Sequence, residues 1–192
     1  MTTFAGLINK MFLRVPQCPA ALMNDALLTS LYNFLRDSEA YTTTLTLDLV
    51  ADQAAYTLSS ETDFDIVKIE WVKQSDSEIS ADKWSFTRPA TLTLDEAPGS
   101  AETDGLDVRV VLTTRDSSDT SSVPSQIFDR YCDAIVSGAL VEIHMLPGRP
   151  WTNAELAGYH RQRYLSGITD SLNDKNRRLK LTMVRNNVKN TD

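Results

Sequence analysis

The chain has 192 residues and a net charge of −7, and 42% of its residues are hydrophobic and 23% charged. This length and composition suit a globular protein that buries a core without disulfides or metal. No run of about 18 apolar residues occurs, which excludes a predicted transmembrane helix. The apolar start "MTTFAGLINKMFLRVPQC" is interrupted by Asn9 and Lys10 and makes a poor signal peptide, so we expect synthesis in the cytoplasm.

The charges are distributed unevenly along the chain. Residues 37–119 contain 18 Asp and Glu against 6 Lys and Arg, a balance of −12. Residues 175–189 contain 6 Lys and Arg and no acid. A basic end on an acidic body is typical of an interaction tail, and a solvated chain end is the alternative interpretation.

The N-terminal region is predicted to be helical. A first helix is expected at about residues 3–12, and Arg14-Val15-Pro16 separates it from a second, because residues before proline avoid the helical conformation. The second helix starts near Pro19 and carries an apolar stripe at spacings of three and four, formed by Ala20, Met23, Leu27, Leu31, Phe34 and Leu35.

Strand patterns begin at residue 42. "TTTLTLDLV", "AAYTLSS", "FDIVKIEWVK", two short pieces around Pro89 in "SFTRPATLTL", and "LDVRVVLTTRD" are each bounded by turn residues. Short strands at short intervals predict an antiparallel sheet or a small barrel. The tracts "KQSDSEISADK" and "RDSSDTSSVPS" are interpreted as polar loops.

Two further helices follow residue 121. Ser122 or Ser125 caps the first, whose stripe is Ile127, Tyr131, Ile135, Ala139 and Ile143, and Gly138 indicates close packing against a neighbour. Thr152 or Asn153 caps the second, whose predicted stripe is Leu156, His160, Tyr164, Ile168 and Leu172. Between them a rigid corner is expected at Pro147, Gly148, Pro150 and Trp151, with Trp151 buried.

This order of elements predicts an α+β fold. Residues 1–41 and 122–172 should form a helical bundle, and residues 42–121 an inserted antiparallel β region. Residues 173–192 should form an extended basic C-terminal arm that becomes ordered on a partner.

Residues suited to catalysis are sparse. Cys18 and Cys132 form no C-x-x-C and are interpreted as free thiols, and His144 and His160 do not make a zinc site with them. A Cys132–His144 or Cys132–His160 dyad is disfavoured, because a cysteine within a helix is usually a small buried apolar residue. Acid pairs such as Asp63/Asp65 and Asp95/Glu96 are interpreted as solubilising. We therefore expect no enzyme activity, no cofactor and no metal site.

The basic tail favours a protein partner over nucleic acid. It lacks aromatic residues for stacking on bases, and it alternates apolar and basic residues in "RLKLTMV". Such a segment can pack into a groove on another protein.

Taken together, the layout resembles the head–tail connector, or adaptor, proteins of tailed bacteriophages. Four pieces carry the resemblance: "CPAALMNDALLTSLYNFLRDSEAYTTTLTLDLVADQAAYTL", "DIVKIEWV", "RYCDAIVSGALVEIHMLPGRPWTNAELAGYHRQRYLSGI" and the basic C-terminal extension. They cover roughly residues 18–190, and the third is the most specific.

The resemblance implies a structural virion protein without an active site. It implies a homododecameric ring in the neck of the virion, between the portal protein and tail or nozzle proteins, through which DNA passes without specific binding. The C-terminal arm would bind the portal, which makes its residues candidate portal-binding residues: Arg177, Arg178, Leu179, Lys180, Leu181, Met183, Val184 and Arg185. The alternative is a small regulatory or nucleic-acid-binding protein that uses the basic tail.

Overall fold

The computed structural model describes residues 2–60, 64–75, 77–114, 122–123 and 125–189; within these ranges, the side chains of residues 2–4, 104, 122–123 and 178–189 are not described. In chain order the elements are β1 (Thr2–Thr3), α1 (Phe4–Phe12), α2 (Ala20–Ser38), β2 (Thr42–Leu49), β3 (Ala55–Thr57), β4 (Phe64–Gln74), β5 (Ser77–Ile79), β6 (Trp84–Thr87), β7 (Thr91–Leu94), β8 (Glu102–Thr114), β9 (Ser122–Val123), α3 (Ser125–Met145) and α4 (Ala154–Lys189). Helices at both ends of the chain enclose antiparallel strands in sequence, so the predicted α+β class is confirmed.

The chain divides into two compact units. A helical unit comprises residues 1–40 and 116–192, and a β unit comprises residues 41–115. The predicted boundaries were 41/42 and 121/122, so the first differs by one residue and the second by six. The two ends of the β unit lie side by side, because Leu112 N donates to Tyr41 O at 2.9 Å, as an inserted unit requires.

In the helical unit, α3 packs against both α2 and α4. Its buried residues surround the helix and do not form a single stripe: they are Ile127, Ala134, Ile135, Val136, Ser137, Gly138, Ala139, Leu140, Ile143 and His144. The predicted stripe residue Tyr131 is half-buried. In α2 the predicted stripe is buried except Ala20, which is exposed in the first turn.

The β unit contains two antiparallel sheets, where a single antiparallel sheet or a small barrel was expected. The first has the order β2-β8-β4-β5 and the second β3-β7-β6. The "KQSDSEISADK" tract is also more ordered than predicted, because β5 within it pairs with the end of β4, Val72 opposite Ile79. The sequence pattern did not indicate this hairpin, because β5 lies at the edge of the sheet and an edge strand can consist largely of polar residues. Of "RDSSDTSSVPS", Arg115–Ser121 and Pro124 lie outside the described residues.

The last helix is longer than the sequence pattern suggested. We expected it to end near residue 172, but α4 continues to Lys189, so residues 173–189 are helical, which corrects the expected extended arm. No glycine or proline follows Gly167, and Leu, Lys, Arg and Met have high helix propensity. These propensities outweigh the alternation of Leu179, Leu181 and Met183.

Two side-chain placements in this region also differ from expectation. Leu156, assigned to the buried stripe of α4, is 43% exposed, and Ala157 beside it is buried at 3%. Trp151 is half-buried and not fully buried. The rest of the predicted stripe faces inward, because His160 is buried and Tyr164, Ile168 and Leu172 are half-buried. Only Leu156 falls outside it, since a strict spacing of four drifts around a helix of 3.6 residues per turn.

Candidate functional site

The corner between α3 and α4 is fixed by several hydrogen bonds. Gly148 has φ +68°, a backbone conformation that favours glycine and turns the chain at once after Pro147. Thr152 Oγ1 accepts from Arg149 N at 3.1 Å and donates to Leu146 O. The predicted corner therefore exists, and polar bonds within it set the direction of α4.

His144 ties the end of α3 to the start of α4. Its Nδ1 lies 2.8 Å from Trp151 O, and its backbone O accepts from Asn153 N at 3.0 Å. Asn153 then caps α4, because its Oδ1 accepts from Leu156 N at 3.0 Å. Of the two predicted caps, Asn153 is the one that bonds the helix.

A second histidine stacks on the first. The His144 and His160 rings lie 5.7 Å apart at 9°, and both residues are at least 94% buried. Burial, together with the positive charges of Arg14 and Arg163, lowers the pKa of His160 to about 4. The imidazole is therefore neutral near pH 7 and contributes packing surface between the two helices.

Two glycines allow α3 to approach its neighbours closely. A Cβ on Gly138 would lie 2.2 Å from Ser30 Oγ on α2 and 2.7 Å from the Tyr164 ring on α4. A Cβ on Gly167 would lie 2.3 Å from the Ala134 Cβ. The predicted close packing at Gly138 is thus confirmed, and it involves two neighbouring helices.

Polar contacts hold α4 further along its length. Asp174 Oδ2 accepts from Arg130 Nη1 and Tyr131 Oη, both at 3.1 Å. Lys175 donates to Glu39, which is the C-cap of α2 with φ 50°. The helix is therefore tied to both α2 and α3 as far as Lys175.

Beyond these contacts α4 is longer than its partner α3. From Tyr131, opposite Asp174, α3 has six residues back to Ser125, whereas α4 has fifteen residues on to Lys189. The excess of nine residues corresponds to roughly 13 Å of helix. This final part of α4 carries most of the basic residues at the end of the chain.

The predicted portal-binding residues lie on this final part of the helix. Arg177 is exposed. The backbone of Arg178, Leu179, Lys180, Leu181, Met183, Val184 and Arg185 is helical, and their side chains lie outside the described residues. Residues 179 and 183 are separated by one helical turn, so the helix can present them on one face.

The carboxylates of the β unit are mostly on its surface. The exposed ones among the described residues are Asp48, Asp52, Asp65, Glu78, Asp82, Asp95, Glu96 and Glu102. Glu70 is less accessible and pairs with Arg109 at 3.3 Å. Asp63 lies outside the described residues.

Neither His144 nor His160 forms a dyad with Cys132 in the described structure. Cys132 and His144 lie on one helix twelve residues apart, about 18 Å, and His160 stacks on His144. Cys132 is half-buried and not fully buried as expected, with its Sγ 3.2 Å from Lys10 Nζ.

Two other features are absent from the described part of the chain. No group of three or more His, Cys, Asp or Glu that could hold a metal ion occurs there. No helix in the described part of the chain is long and apolar enough to cross a membrane.

Sequence comparisons identify no relative. No protein-family model matches the chain, and no curated protein matches it.

Proposed function

We propose that this protein is a head-to-tail adaptor of a tailed bacteriophage. It would form a ring, a homododecamer by the resemblance, between the portal and the tail or nozzle proteins, in the neck of the virion. The observation that carries the proposal is α4, a helix of 36 residues that is tied to the rest of its unit up to Lys175 and continues beyond α3 with a basic end.

The portal is the proposed partner of residues 173–192. Since α4 is helical to Lys189, the segment would dock as a helix and not as an extended strand. Leu179 and Met183 would pack on an apolar groove of the portal, and Arg178 and Arg185 would pair with acidic groups around it. The free energy of each single contact is small, and a ring of copies supplies avidity.

The acidic β unit suits a passage for DNA. Its exposed carboxylates would repel the phosphate backbone, so that DNA passes during genome ejection without binding. A structure of the ring in which these carboxylates pair with Lys or Arg of neighbouring copies would instead make them assembly contacts.

The proposed role is structural and not catalytic. Replacing Cys132 by alanine, or His144 or His160 by glutamine, should leave assembly with the portal intact wherever the variant folds. A folded, ring-forming variant without infectivity would support a catalytic role.

Native mass spectrometry with the portal encoded in the same genome tests the proposal. We expect a complex with about twelve copies per portal ring, and a chain lacking residues 178–192 should remain folded and fail to join it. This truncation keeps Asp174 and Lys175, which hold α4 on its neighbours. Full binding by the truncated chain would contradict the proposal.

The six basic residues of 175–189 also favour the alternative, a small regulatory or nucleic-acid-binding protein. A tail that binds DNA should do so with a steep dependence on salt. Equal DNA affinity with and without the portal would favour this alternative. DNA affinity that disappears when the portal is added would favour the adaptor.

A further inference from the structure

A cleft of about 280 Å³ lies beside the corner of the helical unit. The α1–α2 connection forms one side of it, residues 14–17, and the corner with the first turn of α4 forms the other, residues 150–153 and Leu156. Trp151 and Leu156 give the cleft an apolar wall. Its volume suits a few side chains of a protein partner.

Exposed apolar residues lie close in sequence to the residues that line the cleft. Leu13, beside the cleft residue Arg14, is 86% exposed, and Met145, beside the cleft residue His144, is 61% exposed. Tyr159, one turn after Leu156, is 51% exposed. Exposed apolar side chains beside a cleft are typical of a protein-binding surface.

The cleft has positive electrostatic character. Arg14 is the one lining residue with a permanent charge. Its guanidinium acts on the Asp133 carboxylate through space, and it forms no ion pair among the described residues, since Asp133 itself pairs with Lys10. The cleft also lies at the N-terminus of α4, where the first backbone N–H groups of a helix favour negative charge. The occupant should therefore combine an apolar side chain with an acidic one.

The β unit carries a turn with these properties. Val50 is the large apolar side chain that the described part of this unit leaves most exposed, at 45%. Asp52, two residues later, is exposed, and its carboxylate has no partner among the described residues. The turn thus presents one apolar and one acidic side chain together.

The same turn is held in one conformation by the β unit. The buried Tyr56 side chain donates from its hydroxyl to Gln53 O at 2.9 Å and accepts from Val50 N at 3.4 Å. Asp52 N donates to Pro98 O at 3.0 Å, and Asp52 has φ 63°. Such preorganisation lowers the conformational entropy lost on binding.

We propose that the Val50–Asp52 turn of one copy of this chain binds in the corner cleft of a second copy. Val50 enters between Trp151 and Leu156, and the Asp52 carboxylate pairs with the Arg14 guanidinium. The two surfaces differ, so the contact is heterologous, and a heterologous contact that closes generates a ring. The inference rests on the proposed function in this respect: it names the contact between neighbours in the proposed ring.

Crosslinking between two distinguishable chains tests the contact. In a Cys132→Ser background, where the remaining Cys18 is 2% exposed, one chain carries Val50→Cys and a second, mass-tagged chain carries Leu156→Cys. A short bis-maleimide should join the two chains, both in the free protein and in the complex with the portal. Leu165→Cys is the matched control, because Leu165 is also exposed on α4, at 50%, and is no part of the cleft.

A double-mutant cycle tests the charge pair. Arg14→Gln and Asp52→Asn should each lower the crosslinking yield, by roughly fivefold at most for a partly exposed ion pair. The double variant should be no worse than either single one, because both remove the same interaction. Asparagine is chosen at position 52 since it tolerates a positive φ.

The outcomes separate this contact from the adaptor function. A crosslink between the Val50→Cys and Leu156→Cys chains, with a negative Leu165→Cys control, supports the contact. Rings on the portal without that crosslink overturn the contact and leave the adaptor function standing. Absence of both portal binding and the crosslink overturns both, and equal yields with Leu165→Cys overturn the contact alone.

Discussion

At the scale of single residues, the contact between α3 and α4 contains two side-chain positions that control stability. Protonation of His160 and an added methyl group at Gly138 should each lower the free energy of unfolding. His160 is buried against His144, with Arg14 and Arg163 close enough to disfavour a further positive charge. Gly138 is enclosed by Ser30 and Tyr164. Both positions therefore allow quantitative tests of packing between the helices.

The low pKa of His160 predicts a loss of stability in acid. The pKa is about 4 in the folded protein, against 6.5 for the unperturbed group, so the unfolded state binds more protons between these values. The free energy of unfolding should fall as pH drops from about 6.5 to about 4, by roughly 3 kcal/mol from this group at about 1.4 kcal/mol per pKa unit.

Denaturant unfolding of the native chain and of His160→Gln at pH 7 and pH 4.5 measures this effect. The carboxylates should change the free energy of unfolding equally in both proteins between the two pH values. The difference between the two proteins in this change therefore measures the contribution of His160. Parallel pH profiles for the two proteins would show that His160 does not carry this dependence.

Gly138→Ala should destabilise the protein although alanine favours helices. Its new Cβ would meet Ser30 Oγ at 2.2 Å, and such overpacking costs about 1–3 kcal/mol. Gly158→Ala is the matched control, because no atom lies within 4 Å of its Cβ position on the exposed side of α4. The control should gain about 0.5–1 kcal/mol, as measured by thermal unfolding, and equal effects at both sites would contradict the close packing.

At the scale of elements, the corner and α4 act together. The corner ends α3, Asn153 starts α4, and contacts at Gly138, Gly167 and Asp174 then keep the two helices adjacent. A turn that fixes the first residue of a helix this long also fixes where its far end lies. The proposed portal-binding segment depends on this alignment.

Removing the cap of α4 should weaken this alignment. Asn153→Ala loses the bond from Asn153 Oδ1 to Leu156 N, and loss of an N-cap costs about 1 kcal/mol. Asn153→Asp should retain most of the stability, because aspartate caps helices equally well. Chemical denaturation measures the free energy of unfolding of both variants. An equal loss in Asn153→Ala and Asn153→Asp would show that the side-chain cap does not stabilise the protein.

At the scale of the whole molecule, the two compact units differ in their charge. In the β unit Leu92, Leu106, Val108 and Val110 are buried, and most of the described carboxylates are exposed. The helical unit ends in the basic part of α4. Segregated charge of this kind lets the two units attract surfaces of opposite charge.

The β unit should fold without the helices. Its ends meet at the bond between Tyr41 and Leu112, and β8, its longest strand, lies between β2 and β4. A chain of residues 41–115 should show a β-type circular dichroism spectrum and a cooperative unfolding transition. A spectrum of an unfolded chain would show that the helical unit is needed for this sheet to form.

Much of the fold could be predicted from the sequence, because local patterns report local structure. The apolar period of α2, the alternation in β2, and Gly138 as a close-packing position each follow from the spacing of residues. The corner followed from Pro147, Gly148 and Pro150, since these residues restrict the backbone without reference to the rest of the chain.

Other features depended on the tertiary structure. The division into two sheets, the exposure of Leu156, and the stacking of His144 on His160 arise from residues that are distant in sequence, whose pairing no local period encodes. The cleft is of the same kind, because Arg14 and Trp151 meet only after α1, α3 and α4 have packed. The exposure of Leu13 beside Arg14 is likewise known only from the structure, and a single exposed leucine acquires meaning only when the surface around it is known.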